Sequence, residues 1–236
     1  MSDDAPEVSF VIPVFNEEPI LHAAVVDLRE RLEPHSLRYE IILAENGSRD
    51  ATAEVARKLG ERYPEVKLSQ SPRPNYGLAL RQGILRARGE LVICDEIDLC
   101  DVDFHLRALE LLRGGSADFV IGSKLIGGAR DERPRLRHTA SQLYTGLLHV
   151  LFDFGGTDTH GLKAFRRSVV LPIVEACQVD RDVFASELVI RAYRTPLRIV
   201  EVPVRVLEKR PPSINLLRRV PGVLKNLWQL TWAIRD

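Results

Sequence analysis

Leu91-Val92-Ile93-Cys94-Asp95-Glu96-Ile97-Asp98-Leu99-Cys100-Asp101 sets four carboxylates within seven residues directly after a short apolar run. Leu91 to Cys94 has the length and composition of a buried strand, so the acids begin where that strand leaves a sheet at its carboxyl end. In an open α/β sheet, ligands bind at that edge. Alternation in an extended segment puts Glu96 and Asp98 on one side and Asp95 on the other. Glu96 and Asp98 are therefore the candidate metal pair. Two oxygen ligands completed by water or phosphate suit Mg²⁺ or Mn²⁺ better than zinc, which takes His or Cys. The same spacing also fits a solvated acidic loop ahead of a helix at Phe104 to Leu112, with Asp101 or Asp103 as its N-cap. Spacing alone leaves both readings open.

The chain has 236 residues, of which 45% are hydrophobic, enough for one large core and a single α/β domain. Lys plus Arg and Asp plus Glu balance at 33 each, so there is no global basic field and nucleic acid is not an expected partner. Cys94, Cys100 and Cys177 have no metal-type spacing and read as free thiols in a reducing compartment. The acidic start Met1-Ser2-Asp3-Asp4-Ala5-Pro6 lacks the features of a signal peptide, and no run of 18 apolar residues occurs. A cytoplasmic protein that does not span a membrane is expected.

Working outward, Val8 to Val14 reads as a strand. It is followed by a loop and by apolar residues at helical spacing, Leu21, Ala24, Val25, Leu28 and Leu32, with Pro19 suited to the first turn. Tyr39 to Ala44 is a second strand. It runs into Glu45-Asn46-Gly47-Ser48-Arg49-Asp50-Ala51-Thr52, a turn sequence ending in the N-cap of a helix from Ala53 to Tyr63. Lys67 to Gln70 is a third strand, and Leu78 to Arg88 reads as a helix closed by Gly89. The order β-α-β-α-β-α-β predicts a parallel sheet with covering helices. The turn after the first strand contains no glycine, which excludes the Gly-x-Gly-x-x-Gly cradle of a dinucleotide site, and the P-loop is absent too.

Val11-Ile12-Pro13-Val14-Phe15-Asn16-Glu17-Glu18, then Glu45-Asn46-Gly47-Ser48-x-Asp50, then Asn75-x-Gly77, then Glu96-x-Asp98-Leu99 resembles, in that order, a family 2 glycosyltransferase of the GT-A fold. The resemblance implies an α/β GT-A domain over residues 1–215, with a nucleotide-binding half at 8–101 and an acceptor half at 102–215. It implies a GDP- or UDP-hexose donor held by Pro13, Phe15, Glu17, Glu45, Gly77, Arg81 and Glu96. Asp98 is implied as the main ligand of a Mg²⁺ or Mn²⁺ ion on the donor's diphosphate. Family members commonly carry Asp where this chain has Glu45 and Glu96.

In the second half, Phe119 to Ile121 is a short β run leading to Gly122-Ser123-Lys124. A basic stretch from Arg130 to His138 precedes the helical pattern Leu143, Leu147, Leu148 and Leu151; by itself it reads as a solvated loop. Lys124 and the Arg137-x-x-x-Ser141 spacing resemble the acceptor side of polyprenyl-phosphate mannose and glucose synthases in the same family, where such groups hold the lipid phosphate. Thr157 to Arg166 resembles that subgroup's Asp-x-x-x-Gly-Phe segment, which places Asp158 near the acceptor. His160 reads as a loop histidine, or as a metal or acceptor contact. Val183 to Ala192 is a helix, and Arg198 to Leu207 a strand that Pro203 confines to an edge. Glu208 to Asn215 resembles the family's closing loop, in which Arg210 would reach the diphosphate.

Residues 216–236 carry Leu217, Val220, Leu224, Leu227, Thr231 and Ile234 with Arg218, Arg219 and Lys225 interleaved, an amphipathic helix broken near Pro221-Gly222. It suits either core packing or, through Trp228 and Trp232, peripheral contact with the inner face of the cell membrane. The expected function is inverting, metal-dependent hexose transfer from a nucleotide sugar to a polyprenyl phosphate. The alternatives are transfer to a hydroxyl acceptor and a non-catalytic nucleotide-sugar binding module.

Overall fold

Alternating burial along the strands divides the core into two layers. In β1 (Val8–Val14), Phe10 and Ile12 enter one cluster and Val11 the other; in β4 (Leu91–Cys94), Leu91 and Ile93 enter the first, Val92 and Cys94 the second. Both faces are covered, as the near-continuous apolar character of parallel strands requires. The computed structural model describes residues 5–132, 135–181, 183–206 and 216–234. Within them a seven-stranded sheet runs in the order β3-β2-β1-β4-β7-β5-β8, adding β2 (Tyr39–Asn46), β3 (Val66–Ser71), β5 (Phe119–Ser123), β7 (Lys163–Arg166) and β8 (Ile199–Pro203). Neighbours pair in parallel except β7, which is antiparallel to both β4 and β5. A separate parallel pair joins β6 (Arg130–Asp131) to β9 (Arg205–Val206).

Helices α1 (Glu18–Leu32), α2 (Thr52–Arg62) and α4 (Val102–Arg113) supply the first core layer. Helices α3 (Tyr76–Arg86), α5 (Arg135–Phe152), α6 (Arg167–Ala176), α7 (Phe184–Tyr193) and α8 (Leu216–Ala233) supply the second. The expected α/β sandwich, a mostly parallel sheet between helices, is what forms. The three cysteines are buried, and burial pushes Cys94 and Cys177 each up to about 12. No helix among the described residues is long and apolar enough to cross a membrane.

Several local expectations change. Helix α3 ends at Arg86 with Ala87 as its cap, so Gly89 does not close it. Gly89 instead lies against β1, where an added Cβ would come within 2.7 Å of the Ser9 nitrogen. Thr52 is the first residue of α2 and Ala51 its cap, and Asp50 Oδ1 accepts the Thr52 N–H at 3.0 Å. The strand expected through Leu207 stops at Pro203, on the sheet edge, and resumes as β9; Leu207 lies outside the described residues. Helix α8 runs unbroken through Pro221 and Gly222. Its Leu227 and Leu230, with Ile234 just past its end, enter the second core layer, while Trp228 and Trp232 remain 63% and 59% exposed.

Glu40, on β2, ties the turn between α3 and β4 to the sheet. It is 3% exposed and accepts from Ser9 Oγ at 2.7 Å, from the Arg88 N–H at 2.8 Å and from Arg88 Nε at 3.1 Å. Glu40→Ala leaves a buried hydroxyl and a backbone N–H unpaired and should lower the unfolding free energy by about 2–4 kcal/mol. Urea denaturation reads the change, and an unshifted midpoint would count against this role.

Candidate active site

Three loops at the carboxyl edge are laced together by short polar bonds. After β1, the chain turns through Asn16 at a left-handed φ of 54°. The Asn16 N–H then donates to Ser48 Oγ at 3.0 Å, Glu17 N–H to Thr52 Oγ1 at 2.7 Å and Glu18 N–H to Asp50 Oδ2 at 3.3 Å. In return Asn16 Oδ1 accepts from the Arg49 N–H at 2.9 Å. Glu45 is buried at the end of β2, with its carboxylate accepting the Ser48 N–H at 2.5 Å. Asn46 Oδ1 accepts the Asn75 N–H, and Asn75 in turn caps α3 by accepting from Leu78 N–H at 3.2 Å. Pro13 and Glu17 are half-buried and Phe15 is exposed beside them.

The acidic stretch leaves β4 and closes into a turn over Ile97 to Leu99, with the Leu99 and Cys100 N–H groups donating to the Glu96 carbonyl at 2.9 and 3.1 Å. Asp95 faces inward and is buried, whereas Glu96 is exposed and Asp98 half-buried. The division expected from strand alternation is present, although a turn and not an extended segment completes it. Glu96 is reached by solvent, yet protein surrounds it on most sides. That crowding, followed by the Asp98 and Asp95 carboxylates, pushes its carboxyl up to about 7 against the pull of Lys124 and Lys163. Desolvation first and the neighbouring carboxylates second disfavour the charged form there, and a bound cation would offset both. The donor set fits Mg²⁺ or Mn²⁺, both of which take oxygen ligands with water or phosphate completing the shell. Among the described residues no three His, Cys, Asp or Glu side chains form a ready metal cage.

Across the β4–β7 pairing lies a basic counterpart. Lys124, just past β5, binds Asp158 Oδ2 through Nζ at 2.6 Å, with side chains 11% and 4% exposed. Asp158 Oδ1 accepts the N–H groups of His160 and Gly161 at 2.9 and 3.2 Å. Burial pushes the Asp158 carboxyl up, but the Lys124 ammonium and the His160 N–H outweigh it and hold the group below the usual carboxylate value. Lys163 is buried on β7, donates to the Gly161 carbonyl at 2.6 Å and has its ammonium pushed down by burial. His160 lines the open edge against the Tyr144 ring at 5.4 Å, and crowding pushes its imidazole down to about 4 although Asp158 pulls the other way. Thr159 Oγ1 bridges His160 Nδ1 at 3.2 Å and Ser186 Oγ at 2.9 Å, and Ser186 Oγ meets Tyr144 OH at 3.1 Å.

Thus the structure gathers Glu96, Asp98, Lys124 and Asp158 at one edge. Gly77 is buried at the start of α3, where an added Cβ would sit 1.9 Å from the Arg181 carbonyl oxygen, so close packing against that segment already requires glycine. Arg81 donates to the Glu175 carbonyl at 3.1 Å and is engaged at the α3–α6 contact. Arg137 and half-buried Ser141 share a face of α5, which begins before the expected apolar pattern; the Arg137 side chain and all of Arg210 lie outside the described residues. Sequence reasoning passed over Lys163, a charged residue in a four-residue run with no strand-like alternation to mark it.

Comparison with known proteins shows the fold and the family. The chain is 30% identical over 234 residues to Glycosyltransferase AglD of Haloferax volcanii, covering 95% of this chain but only 38% of that protein. It is 29% identical over 264 residues to Dolichyl-phosphate beta-glucosyltransferase ALG5D of Trichomonas vaginalis, covering 99% of this chain and 78% of that one. Among solved structures, glucosyl-3-phosphoglycerate synthase from Mycobacterium tuberculosis, in complex with Mn²⁺, uridine-diphosphate-glucose and phosphoglyceric acid, superimposes with a TM-score of 0.66. It is 18% identical and covers 96% of this chain and 80% of that one, a likeness of fold. Residues 9–172 match Glycosyl transferase family 2, and the chain belongs to that family.

Proposed function

We propose that this chain transfers a hexose from a nucleoside-diphosphate sugar to an acceptor that carries a phosphate. The observation that carries this reading is the pairing of an acidic loop at the end of β4 with a buried Lys124–Asp158 ion pair across the same edge. Glu96 and Asp98 would hold Mg²⁺ or Mn²⁺, which when bound offsets the negative charge of the donor's diphosphate. Pro13, Phe15, Glu17 and Glu45 border the loops where the nucleoside would lie. Family membership and the Mn²⁺ and sugar-nucleotide complex of the fold neighbour support the donor half.

The acceptor half has two forms. With a polyprenyl phosphate, the phosphate oxygen attacks the anomeric carbon, the bond to the diphosphate breaks and a nucleoside diphosphate leaves. Such an oxygen is already largely ionised at pH 7 and needs cations to hold it more than a base to activate it. Asp158, bound to Lys124 and held below the usual carboxylate value, is poorly suited to take a proton, which favours this form. The naming of one relative as a dolichyl-phosphate glucosyltransferase points the same way, and the exposed Trp228 and Trp232 would suit a bilayer interface. The second form is a hydroxyl of a small phosphorylated molecule. It is favoured by the phosphoglyceric acid in the solved fold neighbour, and it needs Asp158 as a base.

Three outcomes test these assignments. Asp98→Asn should fold normally and lose about 100-fold or more of its transfer rate, and excess chelator should silence the wild type. Undiminished transfer in either case would remove the metal from the reading. Asp158→Asn keeps an oxygen for the His160 and Gly161 N–H groups, so with a polyprenyl phosphate it should retain measurable transfer while Arg137→Ala raises the acceptor KM. A dead Asp158→Asn beside an unaffected Arg137→Ala would assign a hydroxyl acceptor.

The third outcome concerns pH. His160 sits at about 4, below its unfolded value of 6.5, so its neutral form favours the fold. That contribution is complete above pH 6.5 and is lost as pH falls through about 4. Thermal melts at neutral and acid pH should therefore show a smaller acid-induced drop in His160→Gln than in wild type; equal drops would contradict the neutral assignment.

A further inference from the structure

Behind the acidic loop, Asp95 Oδ2 meets His105 Nε2 of α4, and both side chains are completely enclosed. Asp95 Oδ1 accepts the Glu96 N–H at 2.6 Å, and the Asp95 N–H donates to the Val11 carbonyl of β1 at 3.1 Å. The imidazole otherwise touches rings, with Phe10 at 4.9 Å and Phe104 at 6.3 Å between centroids. Its Nδ1 has no hydrogen-bond partner among the described residues, so the tautomer that satisfies the pair carries its proton on Nε2. Among the described residues, the Asp95 carboxylate is the one polar group that the ring meets.

A polar pair of this kind is a poor way to stabilise an apolar layer, since two well-packed hydrophobic side chains would serve the fold as well or better. What it does supply is a fixed direction. One carboxylate oxygen is taken by the helix and the other by the backbone of Glu96, so the first peptide of the acidic loop cannot rotate without breaking a buried bond. Partners that orient ligating groups from behind typically set metal affinity by 10–100-fold. We propose that Asp95 and His105 are positioning residues that aim the Glu96 and Asp98 carboxylates at a shared divalent cation. This inference rests on the metal reading above.

The test is direct Mn²⁺ binding, read by the loss of the free-ion electron paramagnetic resonance signal with UDP or GDP present, alongside nucleotide binding without metal and thermal melts. The variants are His105→Phe, His105→Gln, whose amide can still donate to Asp95, and the double variant Asp95→Asn with His105→Phe, which leaves no buried charge unpaired. A folded His105→Phe or double variant should bind Mn²⁺ at least about tenfold more weakly, with metal-free nucleotide binding unchanged, and His105→Gln should recover most of the loss. A folded double variant within a few-fold of wild type overturns the proposal, even if its melting temperature falls. Failure of the wild type itself to bind Mn²⁺, or binding that survives Asp98→Asn, would instead overturn the metal reading on which it stands.

Discussion

The antiparallel insertion of β7 between β4 and β5 is the constraint on which the rest depends. Its register sets Cys94 opposite Lys163, so the loop entering β7 comes up beside the loop leaving β4. Without it, residues 95–101 and 156–161 would sit at the edges of two separate parallel units. With it, acids from the first half and an ion pair from the second share one rim. The segment before β7 is pinned further: the Thr157 N–H donates to Glu201 of β8 at 2.7 Å, Thr145 Oγ1 of α5 donates to the Thr157 carbonyl at 3.1 Å, and His149 meets the Gly156 carbonyl at 2.6 Å.

Charge is arranged there with a bias. The carboxyl groups of Glu96 and Asp98 stand toward solvent, while Lys163 lies beneath at 3% exposure and Lys124 is paired with Asp158. A buried ammonium offsets neighbouring carboxylates without offering itself to a ligand, so the rim keeps a net call for cations. Burial also leaves Lys163 on a backbone carbonyl, away from the solvent that would screen it.

Much of the fold was legible because long apolar periods and turn signals agree over residues 8–113. Strands β1 to β4 and helices α1 to α4 follow directly from them. Helix α6 escaped because Pro172 stands inside it, a residue that ordinarily ends a helix. Strand β7 escaped because Lys163 and Arg166 occupy two of its four positions, and only tertiary pairing makes so short and charged a run a strand. At the site, the division of Asp95 from Glu96 and Asp98 could be read from alternation. The Lys124–Asp158 pair joins residues 34 apart, and no local pattern announces it. The Asp95–His105 contact was invisible for a related reason: a histidine in an apolar helical stripe carries no mark of what it faces.

The enclosed thiols give the chain an uneven chemical resistance. A thiol reacts with alkylating or oxidising reagents as the thiolate, and Cys94 and Cys177, held up at about 12, form almost none at neutral pH while the second core layer stays closed. Cys100 is equally enclosed, at a left-handed φ of 41° in the acidic loop, but packs in the first core layer. The thiols of the two layers therefore answer to different openings, Cys94 and Cys177 to that of the second core layer and Cys100 to that of the first.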